Sequence, residues 1–248
     1  MILIPVICMF LAMGIVNASA LTLESEQERE YNSDLQTEYY TETDSYEENI
    51  PDPVPENALR FEKLIARNSD FAAWLKIPGT EISYPVMSSP EEDYYLHRNF
   101  DREESRSGTP YMAKGCDTES DNILIYGHNM KNGTMFADLL KYEDESFFIQ
   151  NPTISFDTVE KSSDYRILAV FFEQIHYQDE ENVFRYYDYS GRLTKKQFEE
   201  YINAIKKISL YDTGNNTEYG NQLITLSTCS HHTENGRFVV VAAEENET

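Results

Sequence analysis

Apolar positions follow two rhythms along the chain. Most fall in short runs rich in β-branched and aromatic residues, bounded by Gly, Pro, Asn and Asp, as strands do. The pattern predicts strands over Glu81–Val86, Thr109–Met112, Asn122–Tyr126, Thr153–Phe156, Tyr165–Gln174, Gln222–Thr228 and Arg237–Ala242. Two stretches carry the helical period instead. Ala58–Asn68 sets Phe61, Leu64 and Ile65 on one face, with Asn57 placed to cap it. Lys195–Ile208 repeats Phe198, Ile202, Ile205 and Ile208, and Thr194 and Gln197 stand at capping-box spacing at its start. Many short strands with few helices predict a mainly β fold, a barrel or sandwich with helical decorations. No internal repeat and no Gly-rich phosphate loop is present.

The two ends of the pattern differ from its middle. Ile2 to Val16 contain no charged or strongly polar side chain, and Asn17-Ala18-Ser19-Ala20-Leu21 follows. Residues 1–21 read either as a signal peptide cleaved at the small residues Ala18-Ser19-Ala20 or as a signal anchor spanning a ~30 Å bilayer. Both readings place the rest of the chain outside the cytoplasm, the second with the membrane as a partner. Residues 22–56 hold twelve acids against a single base, Arg29, and end in Pro51-Asp52-Pro53-Val54-Pro55. Such a composition predicts an extended, disordered acidic stalk. Residues 57–248 then form one domain.

Composition narrows the classes of function. The 248 residues are 40% hydrophobic and 13% aromatic, enough for a sizeable core. Asp and Glu number 44 against 20 Lys and Arg, a net charge of -24. That balance disfavours nucleic acid as a partner, and equally a basic patch for anionic lipid. Cys8, Cys116 and Cys229 are too few for a disulfide scaffold, and no C-x-x-C motif marks a structural zinc site.

Three residues could share one chemistry. Cys229 ends the apolar run from Leu223, where a strand would hold a nucleophile with precision; a small buried hydrophobe or a disulfide partner for Cys116 are the plainer alternatives. His128 follows the run Ile123–Tyr126, with Gly127 permitting a sharp turn, though a loop histidine is often a solvated surface group. Arg237 opens the last strand, where it could stabilise a thiolate or an oxyanion, or simply pair with Glu234. His231 and His232 adjoin the thiol, but adjacent residues rarely aim at one metal ion. His97 and His176 read as surface groups, and the acids are too numerous for any pair to stand out.

Together the segments resemble the sortases, and class B in particular. Tyr126-Gly127-His128-Asn129-Met130, then Met135-Phe136 and Leu139-Leu140-Lys141-Tyr142, are similar to that class's histidine segment. Leu226-Ser227-Thr228-Cys229 and Arg237-Phe238-Val239-Val240-Val241-Ala242 are similar to its cysteine and arginine strands. Trp74-Leu75-Lys76-Ile77-Pro78-Gly79-Thr80 through Tyr84-Pro85-Val86, and Asp93-Tyr94-Tyr95-Leu96, match its first strands and the segment after them. The resemblance spans about residues 57 to 243. It implies an eight-stranded β-barrel with an N-terminal helix and an additional helix before the cysteine strand. It also implies a cysteine transpeptidase of the Gram-positive cell surface, needing no metal or organic cofactor. Cys229 would attack the threonine carbonyl of a sorting pentapeptide, His128 would act as acid and base, and Arg237 would hold the oxyanion. Leu96 and Ser227 fall where the family lines its peptide groove. The partners implied are surface proteins bearing a sorting signal and, as acceptor, a peptidoglycan precursor or pilin amine. A secreted cysteine endopeptidase using water shares the same residues, and a non-catalytic surface β-domain is the third reading.

Overall fold

Eight strands close on themselves in the order β1-β2-β3-β4-β7-β8-β6-β5, β5 pairing back onto β1. The computed structural model describes residues 22–23, 25–40 and 57–245. The apolar segment 1–21, with its anchor or signal-peptide reading, lies outside the described residues. The strands are β1 Phe71–Lys76, β2 Ser83–Met87, β3 Tyr111–Met112, β4 Asn122–Tyr126, β5 Thr153–Thr158, β6 Ser162–Gln174, β7 Leu223–Cys229 and β8 Gly236–Glu244. Neighbours run antiparallel except β2–β3 and β4–β7, which are parallel. Closure removes the exposed edges that an open sheet would offer to other chains. This is the eight-stranded barrel that the resemblance implies. The periodic pattern alone misses β1, because nearly every side chain of Phe71–Lys76 is buried or half-buried and no polar alternation marks a strand.

Among the described residues, four α-helices are set around the barrel. Residues 25–40 form α1, and Glu62–Arg67, Glu145–Gln150 and Lys195–Ile208 form α2, α3 and α4. In α4 both halves of the expected capping box form between Thr194 and Gln197, and Phe198, Tyr201, Ile202 and Ile205 face the core. In α2 the helix is shorter than expected and Asn57 is not its cap. Phe61 occupies that place, while the buried Asn57 side chain donates to the Thr158 carbonyl at 2.8 Å, tying the turn to β5.

The expected solvated stalk is, over residues 25–40, a docked helix. Tyr31, Leu35 and Tyr39 recur every four residues and share one face. Leu35 and Tyr39 are buried in a second core cluster with Phe61, Phe71, Trp74 and Tyr95, outside the barrel wall. The Tyr39 ring stacks on Trp74 at 4.3 Å between centroids, and its hydroxyl donates to Asp157 at 2.7 Å. Tyr31 donates to Asp101 at 2.7 Å, and Arg67 takes Glu38 at 3.1 Å. Burying a leucine or aromatic side chain is worth about 1.5–3 kcal/mol. A few such contacts outweigh the solvation preference of the helix's acids, of which Glu26, Glu30 and Asp34 stay exposed. Residues 41–56 lie outside the described residues.

Candidate active site

Cys229 ends β7, and the chain turns through residues 230–235 into β8, where Arg237 is the residue paired directly with Cys229. On the other side of β7 the parallel strand β4 runs alongside with Tyr126 opposite Ser227. Carried two residues further, that register sets His128 beside Cys229. Residues directly opposed in a sheet point to the same face, so this register sets Cys229, His128 and Arg237 on one face at one end of three neighbouring strands.

The pairing continues past the end of β4 by named bonds. The Gly127 amide donates to the Ser227 carbonyl at 3.2 Å, the Thr228 hydroxyl to the Gly127 carbonyl at 2.8 Å, and the Asn129 side-chain amide to the Cys229 carbonyl at 3.0 Å. Gly127 has a different reason from the turn anticipated for it. It is absent from the positive-φ residues, but a Cβ there would stand 2.6 Å from the Phe136 ring. Close approach of that ring requires glycine.

The His128 ring is fixed by one hydrogen bond and one stack. Its Nε2 lies 2.9 Å from the Leu96 carbonyl. A carbonyl only accepts, so Nε2 carries the hydrogen and Nδ1 is left to take up or release a proton. The exposed His97 ring stacks on it at 5.6 Å between centroids. Burial holds the His128 imidazole below the ordinary histidine value, the Leu96 carbonyl opposes that shift, and the charge of His97 adds to it.

Arg237 is half-buried and donates to the carbonyls of Gly236 at 3.0 Å and Asn235 at 3.3 Å. Its charge reaches the tyrosines around the site. Burial pushes the Tyr186 phenol up to about 12, and the bond to Ser227 and the Arg237 charge pull the other way. Tyr126 is likewise raised by burial and lowered by Arg237.

The remaining sequence candidates separate. Ser227 is buried, 1% exposed, its hydroxyl 2.8 Å from that of Tyr186. Leu96 is half-buried, and its carbonyl rather than its side chain meets His128. Cys116 is a buried free thiol against the Asn122 carbonyl at 3.7 Å, and burial raises it. Asn122 pairs with Leu223, at the far end of β7 from Cys229, about 20 Å away at ~3.3 Å per residue. A Cys116–Cys229 disulfide is therefore ruled out. His231 and His232 are exposed, His232 turning to the Ser230 hydroxyl at 3.0 Å. His176, expected at the surface, is instead enclosed, its nitrogens 3.3 Å from Glu173 and 3.0 Å from Glu180. Asn129, Thr228 and Tyr186 carry no signal of their own in the sequence. Their part is to join strands that only the fold brings together.

A thiol, a neutral imidazole and a fixed cation at one sheet end suit acyl transfer to sulfur. The sortase domain model matches residues 75–245. Sortase B of Listeria monocytogenes is 35% identical over 196 residues, covering 77% of this chain and 75% of that protein. The crystal structure of sortase B from Bacillus anthracis superimposes with a TM-score of 0.75 at 25% identity, spanning 91% of this chain and 100% of that one. A Staphylococcus aureus sortase B–substrate complex shares the fold with a TM-score of 0.76 at 24% identity, spanning 91% of this chain and 100% of that one.

Proposed function

The chain belongs to the sortase family, in class B, whose members are cysteine transpeptidases, and we propose that it joins surface proteins to a cell-wall or pilin amine. The observation that carries this reading is the row of His128, just past β4, with Cys229 on β7 and Arg237 on β8. Nδ1 of His128 takes the Cys229 thiol proton as the sulfur attacks the threonine carbonyl carbon of a sorting pentapeptide, forming a C–S bond and an oxyanion that Arg237 stabilises by hydrogen bonds. The oxyanion collapses, the peptide C–N bond breaks, and His128 gives its proton to the leaving amine. An acceptor amine then attacks the thioester and loses its proton to His128. The new amide forms as the C–S bond breaks, and His128 returns the proton to the departing sulfur, restoring the thiol. Leu96 and Ser227 border the peptide, Ser227 through its link to Tyr186. Residues 1–21 hold the enzyme at the outer face of the membrane or direct its export.

The test is a sorting-peptide library offered to the full chain in mild detergent, with and without an oligoglycine or diaminopimelate amine, followed by intact and product mass. The expected result is a peptide adduct at Cys229 and an amine-joined product. The adduct should vanish in Cys229→Ala and persist in Cys116→Ala. Hydrolysed peptide alone, with amine present, would make the protein an endopeptidase. No adduct from any peptide would leave it a surface β-domain.

A further inference from the structure

His128 is suspended between two loops, and helix α1 holds both. The first loop carries the histidine. Residues 128–136 fold back on themselves, the Phe136 amide donating to the His128 carbonyl at 2.8 Å and Gly133 to Met130 at 2.9 Å. Met135 in this loop sits at φ 56, a left-handed conformation that strains a non-glycine residue, and its amide donates to the Tyr84 hydroxyl at 3.2 Å. The second loop, residues 94–108, supplies the Leu96 carbonyl that receives Nε2. Gly108 backs that carbonyl so closely that a Cβ would overlap it.

The first turns of α1 reach both loops. Arg29 donates to the Asn132 carbonyl at the tip of the histidine loop. The Asn132 side-chain amide donates to the Ser25 hydroxyl at 2.7 Å, while its oxygen takes bonds from the Thr134 amide and hydroxyl. One side chain thus closes the tip and ties it to the helix. On the opposite side, Glu28 accepts from the Ser105 hydroxyl at 3.1 Å and the Ser107 amide at 3.4 Å. Ser105 in turn donates its amide to the His97 carbonyl at 3.0 Å, one residue from Leu96. The far end of α1 anchors the helix itself, since Leu35 and Tyr39 are buried in the cluster of Trp74 and Phe61.

We infer that α1 is a strap that positions His128: Ser25, Glu28 and Arg29 hold the loop bearing the imidazole and the loop bearing its carbonyl partner in one fixed relation to Cys229. Ser25, Glu28 and Arg29 are positioning residues, touching neither substrate nor thiol. The inference rests on the role given to His128 above. Its physical ground is that exposed loops open at low free energy, whereas a reacting group displaced by 1 Å can lose ~10²-fold in rate. Tying both loops to one packed helix removes their independent motion.

The experiment uses the full chain in mild detergent, with histidine labelled at Cε1, and follows the His128 resonance through a pH titration beside the rate of adduct formation. His97 and the Leu96 carbonyl face the ring and stay unchanged. The triple variant Ser25→Ala, Glu28→Gln, Arg29→Gln should raise the His128 midpoint towards the ordinary value as water reaches the ring. Its adduct formation should slow by about 10- to 100-fold. Tyr39→Phe, which loses the bond to Asp157 and keeps the ring stacked on Trp74, should lower thermal stability and leave midpoint and rate as in the wild type. Both shifts in the triple variant, with neither in Tyr39→Phe, support the strap. In a wild type that forms the adduct, every other combination overturns it. Should the wild type form no adduct, the proposed function falls, and the titration alone decides whether α1 places the ring.

Discussion

Cys229 and Arg237 are directly opposed residues of the antiparallel pair β7–β8, and Glu173 of β6 is the partner of Arg237 on its other side. The guanidinium therefore stands in a row between a thiol and a carboxylate. Among the described residues, its own hydrogen bonds run to the Asn235 and Gly236 carbonyls of the hairpin that carries it. Little of the fold depends on it, which makes its substitution a clean probe of chemistry.

Arg237→Ala should fold as the wild type does by circular dichroism and form adduct ~10²–10³-fold more slowly, the usual cost of an oxyanion donor. Arg237→Lys should fall between, since it keeps the charge and loses the planar fork. Wild-type rates in both would withdraw the oxyanion role.

Burial of His128 makes a sign-definite prediction for stability. Above about pH 6.5 neither folded nor unfolded chain binds the proton, and the shift has no effect. As pH falls below that value, the unfolded chain takes up a proton that the buried ring resists. Stability is lost until pH passes beneath the folded value, and is level thereafter. His128→Gln removes this contribution, so the gap in melting temperature between variant and wild type should move in the variant's favour from pH 8 to pH 5. A gap constant with pH would contradict the shift.

Gly127→Ala drives a methyl into the Phe136 ring. Overpacking of this kind costs about 1–3 kcal/mol, a fall of roughly 2–12 °C in melting temperature for a domain of this size. Phe136→Leu in the same chain should recover part of the loss. A fully stable Gly127→Ala would show that the ring has room to move.

Trp74 is the single tryptophan and lies under the Tyr39 ring, its Nε1 donating to the Ser83 hydroxyl at 3.0 Å. Tyr39→Ala uncovers the indole, so its emission should shift to the red and quench more readily with acrylamide, while the far-ultraviolet signature of the barrel persists. Unchanged emission would mean that α1 does not cover the indole in solution.

Local signals are legible in the sequence, and signals made by the fold are not. The α4 helix and its cap are written within residues 194–208, so periodicity finds both. β7 and β8 are equally plain as apolar runs, and with them the places of Cys229 and Arg237. α1 is hidden because its three stripe residues, Tyr31, Leu35 and Tyr39, stand among acids whose number dominates any average. The resemblance points to Leu96 as a groove residue; the contact of its backbone carbonyl with the imidazole is not legible, because no residue identity encodes a carbonyl's direction. His176 reads as a surface group until the fold encloses it between Glu173 and Glu180.

The parallel pairing of β4 with β7 has a kinetic side. Parallel neighbours cannot be joined by a hairpin, and here the crossover contains α3, β5, β6 and α4. The bond from Asn129 to the Cys229 carbonyl closes a loop of a hundred residues. Contacts of such long range form late and slowly, because chain entropy must be spent before they return anything. Thiol and imidazole thus remain strangers in the nascent chain, and a partly folded molecule carries a cysteine without its base. Recovery of adduct formation during refolding should follow the slowest phase, well after the intrinsic signal of Trp74 has settled.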